Sequence, residues 1–365
     1  MSDPNTKYRV AIIGSGRMGG LMEDQIPVHS FHKPYSHFSA YQAIDETEVV
    51  AVANRGRERL EKFSKRFGFT NTYLDYREMI EKEKPDIVSV TTPTFARAEP
   101  IIFAAEHGVR GIYAEKGLCA SLAEADRIQA AIKTNHVAFN WGATRRHHDA
   151  FKKLRDAIAR GDIGEPNFAT IYCRTDLIKH HPHTIDLVAM MLGDPAPEWV
   201  EGRLAEPDEP DASPTQSFPK YDPDGHCFPP PPGEEMADPI VGFFRVGYRS
   251  GAEGYFVPWR GAFNIDVYGS DARAYAWDNG ETFCVRRAKS GEVEQRFIQP
   301  QGESPTVCTI RNIIQELETG EPTAGRIDIT MQAVEVQFGI AYSHLQGGAR
   351  VDVPVADRSL YIPGG

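Results

Sequence analysis

The chain has 365 residues, of which 41% are hydrophobic, and a formal net charge of −11. That content fills two cores of ordinary size, and an acidic balance without any clustered Lys/Arg stripe excludes a nucleic-acid footprint and an anionic membrane surface, leaving a small molecule as the expected substrate. No apolar run reaches the roughly 20 residues of a membrane span, and the opening MSDPNTKYRV lacks a signal-peptide core, so the expected location is cytoplasmic. The five cysteines are odd in number and show neither metal nor redox spacing, so no metal site is expected.

In chain order, the first element is a strand over Arg9 to Ile13 that runs into three glycines, Gly14, Gly16 and Gly19, in the stretch YRVAIIGSGRMGG. This is a dinucleotide fingerprint: Gly14 permits the tight turn, Gly16 lets backbone approach a pyrophosphate, and Gly19 lets the following helix pack on the strand. Phosphate charge then sits at a helix N-terminus. The segment between Gly20 and His37 is polar and interrupted by proline, so an inserted loop is expected, either covering the cofactor or running as a solvated excursion. Strands follow over Val49 to Ala53, Asp86 to Thr91, Gly111 to Ala114 and Val137 to Asn140. Helices over Arg57 to Phe67, Phe95 to His107 and Leu122 to Thr134 alternate with them, Ser121 and Glu124 forming a capping box. The alternation predicts a doubly wound parallel sheet, an N-terminal Rossmann domain over residues 1–140 of an α/β protein. Residues 141–365 read as a second α/β domain. It opens with a helix over Arg146 to Arg160, continues in the alternating segments Asn167 to Cys173, Val241 to Tyr248, Gly254 to Pro258 and Phe263 to Tyr268, and closes with helices over Val307 to Glu318 and Ile329 to Leu345. The alternation argues for an antiparallel sheet, and residues 206–239 form a Pro-rich loop.

Ligands of open α/β sheets bind beyond the carboxyl ends of the strands, which singles out three places. After the second strand, Asn54 stands where an acidic residue would bind the ribose of NAD. With Arg55 and Arg57 beside it, this favours NADP(H), the alternative being that the arginines begin a solvated helix and the cofactor is NAD. After the strand Gly111 to Ala114 comes Glu115-Lys116-Gly117, where a lysine can hydrogen-bond a substrate hydroxyl and shuttle its proton, or be an ordinary surface lysine. In HHPHTIDL, Pro182 suits the first turn of a helix, so that His183 and Asp186 fall on one side and His183 is a candidate general base. A capping histidine is the alternative; a metal held by His180, His181 and His183 lacks helical ligand spacing. Arg145, Arg146, His147 and His148 either supply substrate hydrogen bonds or start a helix.

Taken together, VAIIGSGRMGG, EVVAVAN, KPDIVSVTTPT, AAEHGVRGIYAEKG, SLAEAD, the His183 to Asp186 motif, FNIDVYGSDARAYAW and the VDVPV tail resemble, in order and over nearly the whole chain, the Gfo/Idh/MocA oxidoreductase family. The resemblance implies an N-terminal Rossmann domain and a C-terminal domain for substrate binding and oligomerisation, with a large, mostly antiparallel, open-faced sheet that often forms subunit interfaces. A homodimer or homotetramer is then expected. It implies hydride transfer between a nicotinamide and a hydroxyl or keto carbon of a sugar, inositol or related carbohydrate, with Lys116 and His183 matching the active-site lysine and histidine. Gly14, Gly16, Arg17, Met18, Gly19, Asn54, Arg55, Arg57, Thr92, Pro93 and Glu115 are then the expected cofactor contacts. Lys116, Arg145, Arg146, Lys179, His183 and Asp186 are the expected substrate contacts. Two positions depart from the family pattern. Gly117 replaces the proline after the lysine, and Lys179 stands where many members carry an aspartate, a cation that would depress the pKa of His183 on close approach. Two other functions share the fold: a nucleotide-retaining enzyme that cleaves glycosides through transient sugar oxidation, and a non-catalytic nucleotide-sensing regulator.

Overall fold

A computed structural model of the chain describes residues 7–26, 33–205, 238–259, 263–287, 290–291, 293–297 and 302–364. Most of the expected 206–239 loop and part of the expected 21–36 insertion thus lie outside the described residues. The chain forms two compact units, one of Met1–Cys119, Glu124–Thr144 and Gly302–Asp328, the other of Ala120–Ala123, Arg145–Gln301 and Ile329–Gly365.

The first unit alternates β1 (Tyr8–Ile13), α1 (His37–Gln42), β2 (Thr47–Ala53), α2 (Arg57–Phe67), β3 (Thr72–Tyr73), α3 (Tyr76–Glu83), β4 (Ile87–Val90), α4 (Ala98–Glu106), β5 (Gly111–Ala114), α5 (Leu122–Thr134) and β6 (Ala138–Trp141). Its six strands are all parallel in the order β3-β2-β1-β4-β5-β6. This is the doubly wound order, with its switch point between β1 and β4. Every residue of β4, β5 and β6 is buried, as parallel strands covered on both faces must be. In α2, Leu60 and Phe63 face inward, and Gly68, at φ 64°, ends the helix in the left-handed conformation.

One expectation for this unit is corrected. The helix expected to start at the glycine turn is only a short 3-10 stretch, Leu21–Gln25, and the first α-helix starts at His37, beyond the expected insertion. The amides of His37 and Phe38 donate to the carbonyls of Met18 and Gly19 at 2.9 and 3.1 Å. The start of α1 therefore packs back against the glycine turn from which the chain departs. Glu23 ties the two ends together, its Oε2 accepting from the amides of Tyr35 and Ser36 at 3.0 and 2.9 Å.

Beyond Thr144 the elements are α6 (Asp149–Ala159), β7 (Pro166–Tyr172), α7 (His181–Met191), β8 (Pro197–Leu204), β9 (Val241–Tyr248), β10 (Glu253–Val257), β11 (Asn264–Gly269), β12 (Ala272–Trp277), β13 (Thr282–Arg287), β14 (Val293–Phe297), α8 (Pro305–Thr319), α9 (Ile327–Leu345) and β15 (Val351–Asp352). The second unit holds a nine-stranded sheet in the order β14-β13-β12-β11-β7-β10-β9-β8-β15, antiparallel except for the β7–β10 pair. Alternation sets its two faces. Ala169, Ile171, Phe244, Val246, Ile265, Val267 and Ala274 are buried, whereas Phe168, Phe243 and Trp277 are exposed on the opposite residues of the same strands. The buried face is closed by helices: an added Cβ on Gly254 of β10 would meet Val188 of α7, and one on Gly339 of α9 would meet Val200 of β8.

The helix α8 belongs to the first unit although it follows the second sheet in sequence. Ser304 caps it, accepting from the Val307 amide at 3.3 Å. Val307, Ile310, Ile313 and Ile314 then join the same core cluster as Val10, Ile12, Phe38 and Tyr113. Residues 302–328 thus depart from the boundary expected at 140, because α8 carries an apolar stripe that the six-stranded sheet buries. Among the described residues no helix is long and apolar enough to cross a membrane, and no cluster of three or more His, Cys, Asp or Glu is arranged to hold a metal.

Candidate active site

In the first unit the glycine turn follows β1, as the spacing predicts. Gly14 sits at φ +107°, where an added Cβ would lie 2.6 Å from Thr91 Oγ1, and a Cβ on Gly19 would lie 2.0 Å from the Gly14 carbonyl oxygen. Both positions are closed to a side chain by the protein itself. At Gly16 the nearest such contact is Arg59 Nη1 at 3.8 Å, so this glycine has open space above its backbone. A cradle that a side chain would partly fill is what close approach of a pyrophosphate requires, and the turn fits a dinucleotide. Met18 contributes its carbonyl to α1, and Arg17 is exposed, its Nη2 lying 3.2 Å from Met22 Sδ.

Beside this turn, at the carboxyl ends of β1, β2, β3 and β4, lies a cleft of about 660 Å³ whose walls include Gly14, Asn54, Arg55, Thr92 and Pro93. Asn54 is half-buried, and its amide links two loops: Oδ1 accepts from the Ser15 amide at 3.3 Å and Nδ2 donates to the Gly56 carbonyl at 2.9 Å. Arg57 begins α2 and is exposed; the arginines that line the wall are Arg55, Arg59 and Arg77. Arg77 lies over the rings of Tyr76 and Phe103, at 4.6 and 5.5 Å from their centroids. Sequence reading missed Arg59 and Arg77. The signal for Arg59 was its place one turn inside a helix that opens at a strand end; Arg77 follows a strand of only two residues, too short to register.

The loops after β4 and β5 are joined by Arg97, which is buried and donates to the carbonyls of Thr92 and Gly117. Burial pushes its guanidinium down to about 10, against the pull of Glu115. Glu115, expected among the cofactor contacts, is itself buried, 3% exposed, with both oxygens engaged inside the unit. Its Oε1 lies 3.1 Å from His37 Nε2 and its Oε2 accepts from the Lys116 amide at 3.2 Å. Burial alone would raise this carboxyl; the His37 hydrogen bond and the charges of Lys116 and Arg97 outweigh it and hold it below its ordinary value. Lys116 is half-buried, and the Lys116–Gly117 peptide is cis.

In the second unit Pro182 occupies the first turn of α7, and all eleven residues of that helix are buried. His183 is 6% exposed, with the ring of Phe263 edge-on at 6.3 Å. The same Phe263 ring carries the Arg145 guanidinium at 3.9 Å. Arg145 also donates to Asn279 at 3.3 Å. Arg146 and Asp186, both expected to meet substrate, instead meet each other. Arg146 forks onto both oxygens of Asp186 and donates to both oxygens of Asp194 at 2.8 Å. Burial lowers the guanidinium and is outweighed by the two carboxylates, so its net direction is up. Burial raises Asp186, with Arg146 opposing. Arg146 and Asp186 are 4% and 1% exposed, so the ion pair consumes the groups that would have faced a ligand. His148 is a helix cap, its Nδ1 accepting from the Ala150 amide at 3.2 Å. Burial, and then Arg146, pushes His147 down to about 3. The Lys179 amide donates to Asp238 at 2.7 Å, and the Lys179 charge helps lower Asp176.

Residues 8–143 match a family model described as an oxidoreductase family with an NAD-binding Rossmann fold. The chain is 24% identical over 338 residues to the myo-inositol 2-dehydrogenase of Thermotoga maritima, spanning 87% of this chain and 90% of that protein. Among solved structures it is similar to myo-inositol 2-dehydrogenase from Lactobacillus plantarum, with TM-score 0.69, 19% identity, and coverage of 95% of this chain and 99% of the other. It is also similar to levoglucosan dehydrogenase in complex with NADH and levoglucosan, with TM-score 0.73, 18% identity, and coverage of 96% and 100%.

Proposed function

For a chain that belongs to the Gfo/Idh/MocA oxidoreductase family, we propose a dehydrogenase that interconverts hydroxyl and keto groups on a sugar, inositol or related carbohydrate, with NADP(H) preferred to NAD(H). The bound dinucleotide supplies or accepts the hydride. The observation that carries the reading is Lys116: a half-buried lysine directly beyond β5, in the sheet whose first strand ends in an open glycine cradle. Its ammonium donates to the substrate oxygen and stabilises alkoxide charge as it develops. His183, on the first turn of α7, is the second proton-handling group, and Arg145 is the substrate donor of the same unit. Arg146 and Asp186 serve as scaffold.

The cofactor preference rests on the cleft wall. Arg55, Arg59 and Arg77 line it, and a guanidinium's fork of donors suits a 2′-phosphate better than a ribose hydroxyl. Glu58 and Asp75 in the same wall favour NAD, but Asp75 already accepts from the Arg77 amide at 2.8 Å as the cap of α3. Two measurements on the purified protein test the proposal. Titration with NADPH and NADH should give tighter binding of NADPH; equal or tighter NADH binding overturns the preference. In a screen of cyclic polyols and anhydrosugars that begins with myo-inositol and levoglucosan, Lys116→Met should lower turnover by about 10²- to 10⁴-fold with NADPH affinity unchanged. Turnover retained in that variant removes Lys116 from the mechanism.

A further inference from the structure

Behind Lys116 lies a buried polar chain that neither Rossmann packing nor the proposed chemistry requires. His37 of α1 is fully buried between the loops, its ring stacked on Tyr113 at 4.1 Å and 21°. Its Nδ1 lies 2.9 Å from Ser89 Oγ, Ser89 Oγ lies 2.9 Å from the Tyr41 hydroxyl, and its Nε2 lies 3.1 Å from Glu115 Oε1. The proton inventory orients this chain. An ionised carboxylate only accepts, so His37 must carry a hydrogen on Nε2. In the neutral imidazole Nδ1 is then an acceptor, and one consistent assignment has Tyr41 donate to Ser89, Ser89 to His37 and His37 to Glu115. The other carboxylate oxygen takes the Lys116 amide. Gly142, just after β6, leaves the room: a Cβ there would lie 3.0 Å from both Glu115 Oε2 and the Lys116 nitrogen.

We propose that His37 is a positioning residue for Lys116, acting through Glu115: the imidazole fixes the buried carboxylate, and the carboxylate fixes the backbone and the charge environment from which the lysine side chain departs. This rests on Lys116 being the proton-handling group of the proposed reaction. A histidine retained only for packing would need its ring volume against Tyr113, not a hydrogen on Nε2. The lysine's proton affinity therefore depends on a helix that follows the inserted segment, 78 residues away from Glu115 in sequence.

The test reads Lys116 directly and needs no substrate. The full-length protein is labelled with acetic anhydride across a pH series, and the rate at Lys116 is followed by peptide mass spectrometry, with thermal melting as a control for folding. Glu115→Gln removes the neighbouring anion and should raise labelling at a fixed, mildly alkaline pH about tenfold, the equivalent of one pKa unit. His37→Leu should raise it in the same direction by several-fold, and the double variant should go no further than Glu115→Gln alone, since the second residue acts through the first. His37→Gln, whose amide still donates, should return the curve toward that of the unaltered chain. If His37→Leu fails to fold, His37→Phe, which also lacks the donor but keeps a ring against Tyr113, takes its place. A His37→Leu curve superimposed on the unaltered one, or full additivity in the double variant, overturns the proposal. Activity retained in Lys116→Met would discard the catalytic role of Lys116 and leave this coupling intact; an unmoved labelling curve would discard the coupling and leave that role intact.

Discussion

A buried cluster of charge stands in each unit, and the two are built on opposite plans. In the second unit Arg146 is enclosed by Asp186 and Asp194, and its donors are spent on their oxygens. In the first unit Glu115 is enclosed by His37 and by the Lys116 amide, and the chain continues at once into a half-buried lysine. The Arg146 cluster ends in itself, as a buried ion pair that breaks expensively and reacts with nothing. The Glu115 cluster leads into the half-buried lysine proposed above to handle the proton. Burial and charge are common to both; what separates scaffold from candidate chemistry is whether the last member of the cluster is itself enclosed.

That contrast can be broken experimentally. The largest effect should come from Arg146→Met, which leaves two carboxylates facing each other without a cation. It should cost about 3–5 kcal/mol of stability, read by urea unfolding, while nucleotide affinity and Lys116 labelling in the surviving folded fraction stay as before. Arg146→Met with Asp186→Leu should recover part of that loss; if Arg146→Met is neutral, the cluster is not the scaffold described. Next comes Gly142→Ala, which places a methyl against a carboxylate already held on two sides. About 1–3 kcal/mol of overpacking strain is expected, together with a change in Lys116 labelling that the arginine variant does not show. The smallest effect is a slope. Burial, followed by the charge of His180, pushes the wholly enclosed His181 down to about 3. The unfolded chain takes up a proton near the ordinary value of about 6.5 that the folded chain refuses. Stability from this group is therefore complete above that pH and falls by about 1.4 kcal/mol per pH unit as the pH drops toward 3. His181→Gln should flatten the dependence of unfolding free energy between pH 7 and 5, and an unchanged slope would assign the acid sensitivity elsewhere.

The elements that could be read from sequence are those whose periodicity is complete within themselves. The helices expected over Arg57 to Phe67 and Leu122 to Thr134 stand at those bounds, and the buried strands β4, β5 and β6 announced themselves as short apolar runs. Missed elements lacked that autonomy. β3 has two residues, α1 is detached from its glycine turn by the inserted segment, and only half the residues of β12 and of β13 are buried. The expected helix from Phe95 splits at Arg97, whose side chain is recruited to the loop carbonyls of Thr92 and Gly117. For the candidate site, position after a strand was enough to mark Asn54 and Lys116, because the sheet order alone puts strand ends together. It could not tell Arg145, over an aromatic ring, from Arg146, locked in an ion pair. Nor could it reach His37, whose partners Ser89 and Glu115 lie 52 and 78 residues away.

The return of α8 to the first unit has a consequence for how the protein is made. The glycine turn, the arginine-lined cleft and the Glu115 cluster are all synthesised by Thr144, but the helix whose isoleucines close the core behind Tyr113 and Phe38 begins only at Pro305. A nascent chain therefore carries an open-sided Rossmann sheet while strands β7 to β14 of the second sheet are being translated. The first unit, although it holds the N-terminal strands, cannot close its core until those strands of the second unit have been made.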